Sequence, residues 1–312
     1  MSAINAPHFT NDDAARELIE SIRWPDGPVC SHCGSINHAY AVKGRGGLYR
    51  CAEPECRKDF TCTTGTVMER SKIPLHKWMM AFYLMNASKK GISAHQLHRT
   101  LGLTYQTAWF LCHRIREAMR DGGLAPMGGA GGIVEADETY FGPSEQPHVS
   151  PQRKGRPYKS GSRGPRDKRA IVSLVERGGR VRSFHIPSAN ADTVVGIVSD
   201  NIAKESRLHT DESRLYTFVG TQFAAHETVK HSAKEYARGD VNTNSVEGYF
   251  SIFKRGMKGV YQHCKEKHLH RYLGEFDHRY NHRIALGFND TDRMNAAIKG
   301  VEGKRLTYRQ PH

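Results

Sequence analysis

The sequence predicts a multidomain chain that mixes α+β and α/β character: a small cysteine-stapled module, a helical region, and a larger domain on a mixed sheet. Three observations carry this. Four cysteines fall as two close pairs between residues 30 and 56. Apolar residues then recur at helical spacing through 74–121. Beyond a glycine-rich stretch at 122–132 the texture turns to strands, followed by helix, strand and further helices.

The first part spans 1–70. Asn11 is placed to cap a helix running to about Ile22, which Trp24-Pro-Asp-Gly27 then breaks. Residues 28–66 are rich in Cys, Gly and turn formers, and too few to fold on a core of their own. The spacing Cys30-x2-Cys33 and Cys51-x4-Cys56 supplies two knuckles of a tetrahedral thiolate shell around Zn2+. Gly34 directly follows the first pair, where a tight turn exposes backbone N–H groups to the sulfurs. His32 or Cys62 could substitute for one ligand. A closed four-thiolate shell holds structure rather than doing chemistry. The odd total of seven cysteines argues against a disulfide framework.

The second part spans 71–121. Pro74 suits a first helical turn, and Trp78, Ala81, Phe82 and Met85 follow at helical spacing. A second helix over 93–100 presents Ala94, Leu97 and Leu101 on one face. Gly102-Leu103 makes a turn, and Thr104 caps a third helix striped by Ala108, Leu111 and Ile115. This is the shape of a helix-turn-helix, and equally of a plain helical hairpin. In the DNA-binding form Thr104, Tyr105, Gln106 and Thr107 face base edges, with Arg114 and Arg116 near phosphates.

Residues 122–132 hold six glycines and one proline in eleven positions, which reads as a flexible linker. The third part, 133–290, opens with strand candidates at 133–140, 169–176 and 180–186, the last two joined as a hairpin at Gly178-Gly179. A helix at 192–202 and a short strand at 207–210 follow, and the chain is mostly helical from about 244. Residues 291–312 read as a C-terminal tail.

Three carboxylates stand out. In Glu135-Ala-Asp-Glu-Thr-Tyr140 the strand period sets Glu135 and Asp137 on one face and points Glu138 the other way. Asp211 ends a second strand; if the two strands are neighbours, Asp137 and Asp211 converge on one cation. In the helix from Asn244, an apolar stripe of Val246, Tyr249, Phe250 and Phe253 adjoins a polar stripe of Glu247, Ser251 and Lys254. Two strand-end aspartates and a helix glutamate suit Mg2+ or Mn2+ and two-metal phosphoryl transfer. Lys254 lies seven residues beyond Glu247, and Asn244 sits one turn before it as an alternative ligand.

Charge points to a polyanionic partner. There are 46 Lys+Arg against 32 Asp+Glu, a formal net charge of +14. Within a basic insertion at 150–169, residues 153–169 carry eight Lys/Arg and one acid. Arg153, Lys154, Arg156 and Lys159 are its candidate phosphate contacts. No apolar run is long enough for a membrane span, and the N-terminus lacks a secretory pattern, so a cytoplasmic, nucleoid-associated protein is expected.

Several stretches across nearly the whole chain resemble one family. They are Trp24-Pro-Asp-Gly-Pro-Val-Cys30, Gly65-Thr-Val-Met68, Pro74-Leu-His-Lys-Trp78, Arg114-Ile-Arg-Glu-Ala-Met119, Glu135-Ala-Asp-Glu-Thr-Tyr140, Asn244-Ser-Val-Glu247, Lys254-Arg-Gly256 and His268-Leu-His-Arg-Tyr-Leu-Gly-Glu-Phe276. The chain resembles the bacterial insertion-sequence transposases with a zinc ribbon and a DDE-type domain, the ISXO-like group. The resemblance implies a ribonuclease-H-like catalytic fold, with Asp137, Asp211 and Glu247 as metal ligands and Lys254 as a trailing residue that holds DNA. It also implies double-stranded DNA as partner, both element ends and target, and a homodimer or larger assembly in the synaptic complex. The rival expectation is a catalytically dead, transposase-derived DNA-binding regulator; the retained acids and Lys254 separate the two.

Overall fold

Asn11 starts the first helix by accepting hydrogen bonds from the backbone N–H groups of Asp13 (2.8 Å) and Ala14 (3.0 Å), so α1 covers Asp12–Arg23. The computed structural model describes residues 3–122, 124–145, 168–233, 235 and 237–307. The chain divides into two units, 1–121 with 282–312, and 122–281.

In the first unit three short strands, β1 (Ala39–Ala41), β2 (Tyr49–Cys51) and β3 (Asp59–Phe60), pair antiparallel in that order. Helix α2 (Leu75–Ala87) follows Pro74 and buries Trp78, Met79, Ala81, Phe82 and Met85. Helix α3 (Ala94–Leu101) begins at Ser93, whose hydroxyl accepts from the Gln96 N–H, and ends at Gly102. Gly102 has φ +60°, a left-handed conformation in which an added Cβ is strained. Helix α4 (Tyr105–Met119) is capped by the Thr104 hydroxyl, which accepts from the Thr107 N–H at 3.3 Å.

The second unit opens earlier than a free linker allows. Met127 is buried, its N–H donates to the Asn201 carbonyl, and its own carbonyl accepts from the Ala203 N–H. At Gly128 (φ +83°) a Cβ would lie 2.2 Å from the Ser206 hydroxyl, so only glycine permits this approach. Residues 127–132, expected as linker, are thus bonded into the unit.

Strand β4 (Ile133–Pro143) leads the sheet, with a register shift between Phe141 and Pro143. It is followed by β5 (Lys168–Glu176), β6 (Val181–Ile186), α5 (Ala191–Asn201), β7 (Arg207–Thr210), α6 (Thr217–Gly220) and β8 (Ala225–Thr228). Among the described residues the sheet has five strands in the order β6-β5-β4-β7-β8. β6, β5 and β4 pair antiparallel; β4, β7 and β8 pair parallel. β8 escapes the sequence reading because Ala225-His-Glu-Thr is short, polar and without alternation.

Two helices, α7 (Asn244–Gly256) and α8 (Leu269–Asn281), complete the unit. β5 is buried on both faces, and its residues sort into two cores. Ala170, Val172 and Leu174 pack with Val194 and Val198 of α5; Ile171 and Val175 pack with Val246, Phe250 and Phe253 of α7 and with Leu273 and Phe276 of α8. Each such large apolar side chain contributes roughly 1.5–3 kcal/mol on burial, which holds α7 firmly against the sheet.

At His282 the chain returns to the first unit. Helix α9 (Asp290–Lys299) carries a capping box between Asn289 and Asp292 and packs on α2. The Val67 N–H donates to the Val301 carbonyl at 3.3 Å, and the Gly303 N–H to the Gly65 carbonyl at 3.0 Å. Residues 291–312 are therefore not a free tail through 307. Met294, Ala297, Ile298 and Val301 form a buried stripe, and burying it ties this segment to the N-terminal unit.

Candidate active site and metal centres

The four cysteines are brought together by the small sheet and its turns. Sγ of Cys30 lies 3.7 Å from that of Cys56, and Cys33 lies 3.6 Å from Cys51. All four sulfurs lie within 4.8 Å of one another. A tetrahedron with Zn–S bonds of about 2.3 Å has edges of about 3.8 Å, so the donor set fits zinc. A disulfide needs about 2.05 Å between sulfurs, and none is formed. The other candidates are turned elsewhere. The His32 ring nitrogen Nε2 is hydrogen-bonded to the Asp59 carbonyl at 3.2 Å. Cys62 is buried, and that burial pushes its thiol up to about 12.

At the start of α4, Thr104, Tyr105 and Gln106 are exposed. The Tyr105 ring stacks on His95, centroids 4.2 Å apart. Arg114 and Arg116 are not on this surface, contrary to expectation. Both are buried; Arg114 donates to the Glu69 carbonyl at 2.6 Å and lies over the Trp78 ring. Arg114 falls on the α4 face that also buries Leu111, Ile115 and Ala118, and Arg116 on the side that buries Cys112 and Met119, so α4 is buried nearly all round, a packing decision invisible to composition. Arg153, Lys154, Arg156 and Lys159 lie outside the described residues.

In the second unit, parallel pairing sets β7 beside β4, with Glu135 opposite His209. Asp211 follows directly where β7 ends, so it meets the stretch of β4 that continues past it. Carboxylate oxygens of Asp137, Glu138 and Asp211 lie within 4.8 Å of one another. Asp137 and Asp211 converge, and Glu138 joins them although strand alternation points it away. The separation of faces ceases to matter where the neighbouring strand has stopped. The only sequence signal for Glu138 is its adjacency to Asp137.

The three carboxylates disfavour one another's ionisation. Asp137 is pushed up to about 8, first by burial and then by the charges of Asp211, Glu138 and Glu247. Burial and Asp211 also raise Glu138, partly offset by hydrogen bonds from Tyr216 (3.0 Å) and Ser213 (3.3 Å). Clustered hard oxygens that repel one another are a donor set suited to Mg2+ or Mn2+.

Helix α7 delivers the rest. Glu247 lies outside the tight three-acid group, yet close enough for its charge to act on Asp137. Its Oε1 accepts from the buried Thr243 hydroxyl at 2.9 Å. Lys254 is lowered by burial and raised by Asp137, so both sense the same region. Asn244 is exposed at the helix start, with its backbone N–H on the Asn242 side chain at 3.2 Å.

Glu135 proves to be part of the framework. It is fully buried on β4 and accepts from the backbone N–H groups of Ser245 (2.8 Å) and Val246 (3.1 Å) and from the Ser245 hydroxyl (3.0 Å). A buried carboxylate on a strand was the available sequence signal; its partner could not be named from sequence.

Among the described residues, no helix is long and apolar enough to cross a membrane. Residues 10–59 match the family described as a transposase zinc-ribbon domain, and 129–281 match the ISXO2-like transposase domain. An uncharacterized protein in transposable element ISH50 of Halobacterium salinarum is 30% identical over 259 residues, covering 79% of this chain and 83% of that protein. Crystal structures of a pre-cleavage Mos1 transpososome and of the Mos1 strand transfer complex each share 13% identity with this chain. The first covers 60% of this chain and 72% of its own at a TM-score of 0.20, the second 63% and 74% at 0.22, scores too low to bear on fold or activity. The family matches and the ISH50 relative agree along the chain, which belongs to the insertion-sequence transposases with an N-terminal zinc ribbon and an ISXO2-like transposase domain.

Proposed function

We propose that this chain is a DNA transposase that binds the terminal inverted repeats of its element and catalyses strand cleavage and strand transfer. The observation that carries the reading is the convergence of Asp137 and Asp211, from two different strands, on one acidic cluster. The mixed sheet, with its parallel pairing of β4, β7 and β8 and antiparallel arm, supports a ribonuclease-H-like catalytic core.

In this reading Asp137, Asp211 and Glu247 hold the divalent cations, Mg2+ or Mn2+, with Glu138 beside them and Asn244 as the alternative to Glu247. When bound, such a pair activates a water or 3′-hydroxyl and stabilises the leaving oxygen of an in-line displacement at phosphorus. The chain's own part is to bring the carboxylates together, keep Glu247 oriented through Thr243, and hold a DNA phosphate at Lys254. The exposed start of α4, at Thr104, Tyr105 and Gln106, is the candidate for major-groove reading. Arg153, Lys154, Arg156 and Lys159 supply cation for the phosphate backbone. Synapsis of two element ends calls for a homodimer or larger assembly. Zn2+ on Cys30, Cys33, Cys51 and Cys56 keeps the small module folded.

The test is strand transfer by purified protein with Mg2+ on DNA carrying its own element ends. Asp137→Ala and Asp211→Ala are expected to abolish cleavage and joining while DNA binding persists. Undiminished activity in those variants refutes the proposal.

A further inference from the structure

The acids come from elements far apart in sequence, and the helix that carries Glu247 is reached after a long polar loop. Something must fix its first turn relative to β4. We propose that Glu135 and Arg177 form a positioning clasp that sets the N-terminus of α7 against the strand bearing Asp137.

Glu135 sits two residues before Asp137 on β4. Its carboxylate takes three hydrogen bonds from the first turn of α7, two of them from backbone N–H groups that have no partner within the helix. The helix N-terminus also carries partial positive charge, which favours a carboxylate there. One carboxylate thus caps α7 from outside while its own strand continues to Asp137.

Arg177, in the turn after β5, closes the clasp. Its Nε and Nη2 donate to Glu135 Oε1 at 3.0 and 2.8 Å. The same guanidinium donates to the Asp240 carbonyl (2.6 Å) and to both the carbonyl (3.1 Å) and side chain (3.2 Å) of Asn242. It therefore binds the loop entering α7 and the strand in one planar group, which the single ammonium of lysine cannot copy. His209 of β7, two residues before Asp211, lies 3.4 Å from Nη2. Both residues act through α7 and touch no reacting atom, so they are positioning residues.

This inference rests on the metal-dependent reading above, and the experiment separates the two. Glu135→Gln keeps the shape but sets an amide donor where only acceptors serve; Arg177→Lys keeps the charge but loses the fork. Full-length zinc-loaded protein is compared by amide hydrogen exchange over residues 243–249 and by Mn2+ binding followed by electron paramagnetic resonance. A Val198→Ala variant, in the core under α5, controls for general loss of stability. Both clasp variants are expected to exchange the 243–249 amides at least 10-fold faster and to bind Mn2+ about 10- to 100-fold more weakly, as typically follows when groups orienting metal ligands are lost. Val198→Ala is expected to leave both readouts at wild-type values. Wild-type exchange in folded Glu135→Gln overturns the clasp, as does equal acceleration in Val198→Ala. Absence of Mn2+ binding in the wild type sinks the metal reading instead, and the exchange data still decide the clasp.

Discussion

Replacing Asp137 by Asn is expected to stabilise the metal-free protein, and the size follows from the site. The Asp137 carboxyl moves from its ordinary 3.8 to about 8 through burial and neighbouring charge. Below pH ~4 the native and unfolded states are both protonated and the group contributes nothing. Between ~4 and ~8 the unfolded chain is ionised while the native state keeps its proton, so native stability falls as pH rises. Above ~8 the full penalty stands. Four units at ~1.4 kcal/mol each set a ceiling of ~6 kcal/mol. Water reaches one side of this half-buried carboxyl and screens it, so ~2–3 kcal/mol is the expected loss. For a unit of this size that is ~5–10 °C in melting temperature. The assay is calorimetry at pH 6 and pH 8.5, Mg2+ removed by dialysis and zinc retained. Wild-type protein should melt lower at pH 8.5, and added Mg2+ should restore it. Asp137→Asn should melt higher than wild type at pH 8.5, lose most of the pH slope and respond weakly to Mg2+. Equal melting temperatures and equal slopes for the two proteins refute the assignment of mutual repulsion at this site.

Three further outcomes are expected. Cys51→Ser should lose the bound zinc and the N-terminal module's structure, read by zinc content and by proteolysis within residues 28–60, because the thiolate shell replaces a core. Glu247→Gln should cut strand cleavage by at least ~10²-fold, whereas Asn244→Ala should cut it less than ~10-fold; the reverse order makes Asn244 the ligand. Gln106→Ala should weaken binding to element ends by ~1–3 kcal/mol and leave random DNA binding unchanged, measured by competition at fixed salt; an equal loss on both DNAs removes α4 from sequence reading.

Much of the fold is legible because local chemistry dictates it. Asn11, Ser93 and Thr104 mark helix starts by offering side-chain acceptors to orphan N–H groups. The Gly178-Gly179 turn and the apolar runs on either side give the β5–β6 hairpin. What stayed hidden depends on partners distant in the chain. Arg114 and Arg116 look like surface cations in a basic sequence, yet α4 is buried on both of the sides they occupy. The stripe from Met294 to Val301 has no visible partner until α2 is brought beside it.

The candidate site divides in the same way. By spacing alone the sequence pointed to a four-thiolate shell suited to zinc, and by residue type and period it picked out Asp137, Asp211 and a Glu247–Lys254 helix face. Spacing suffices for the cysteines because a short loop holds each knuckle close. Only the tertiary structure decided that Glu138 joins the acids and that Glu135 leaves them to cap α7. Which carboxylates meet depends on where β7 stops beside β4 and on the placement of a helix more than a hundred residues away, and neither is written in any local pattern.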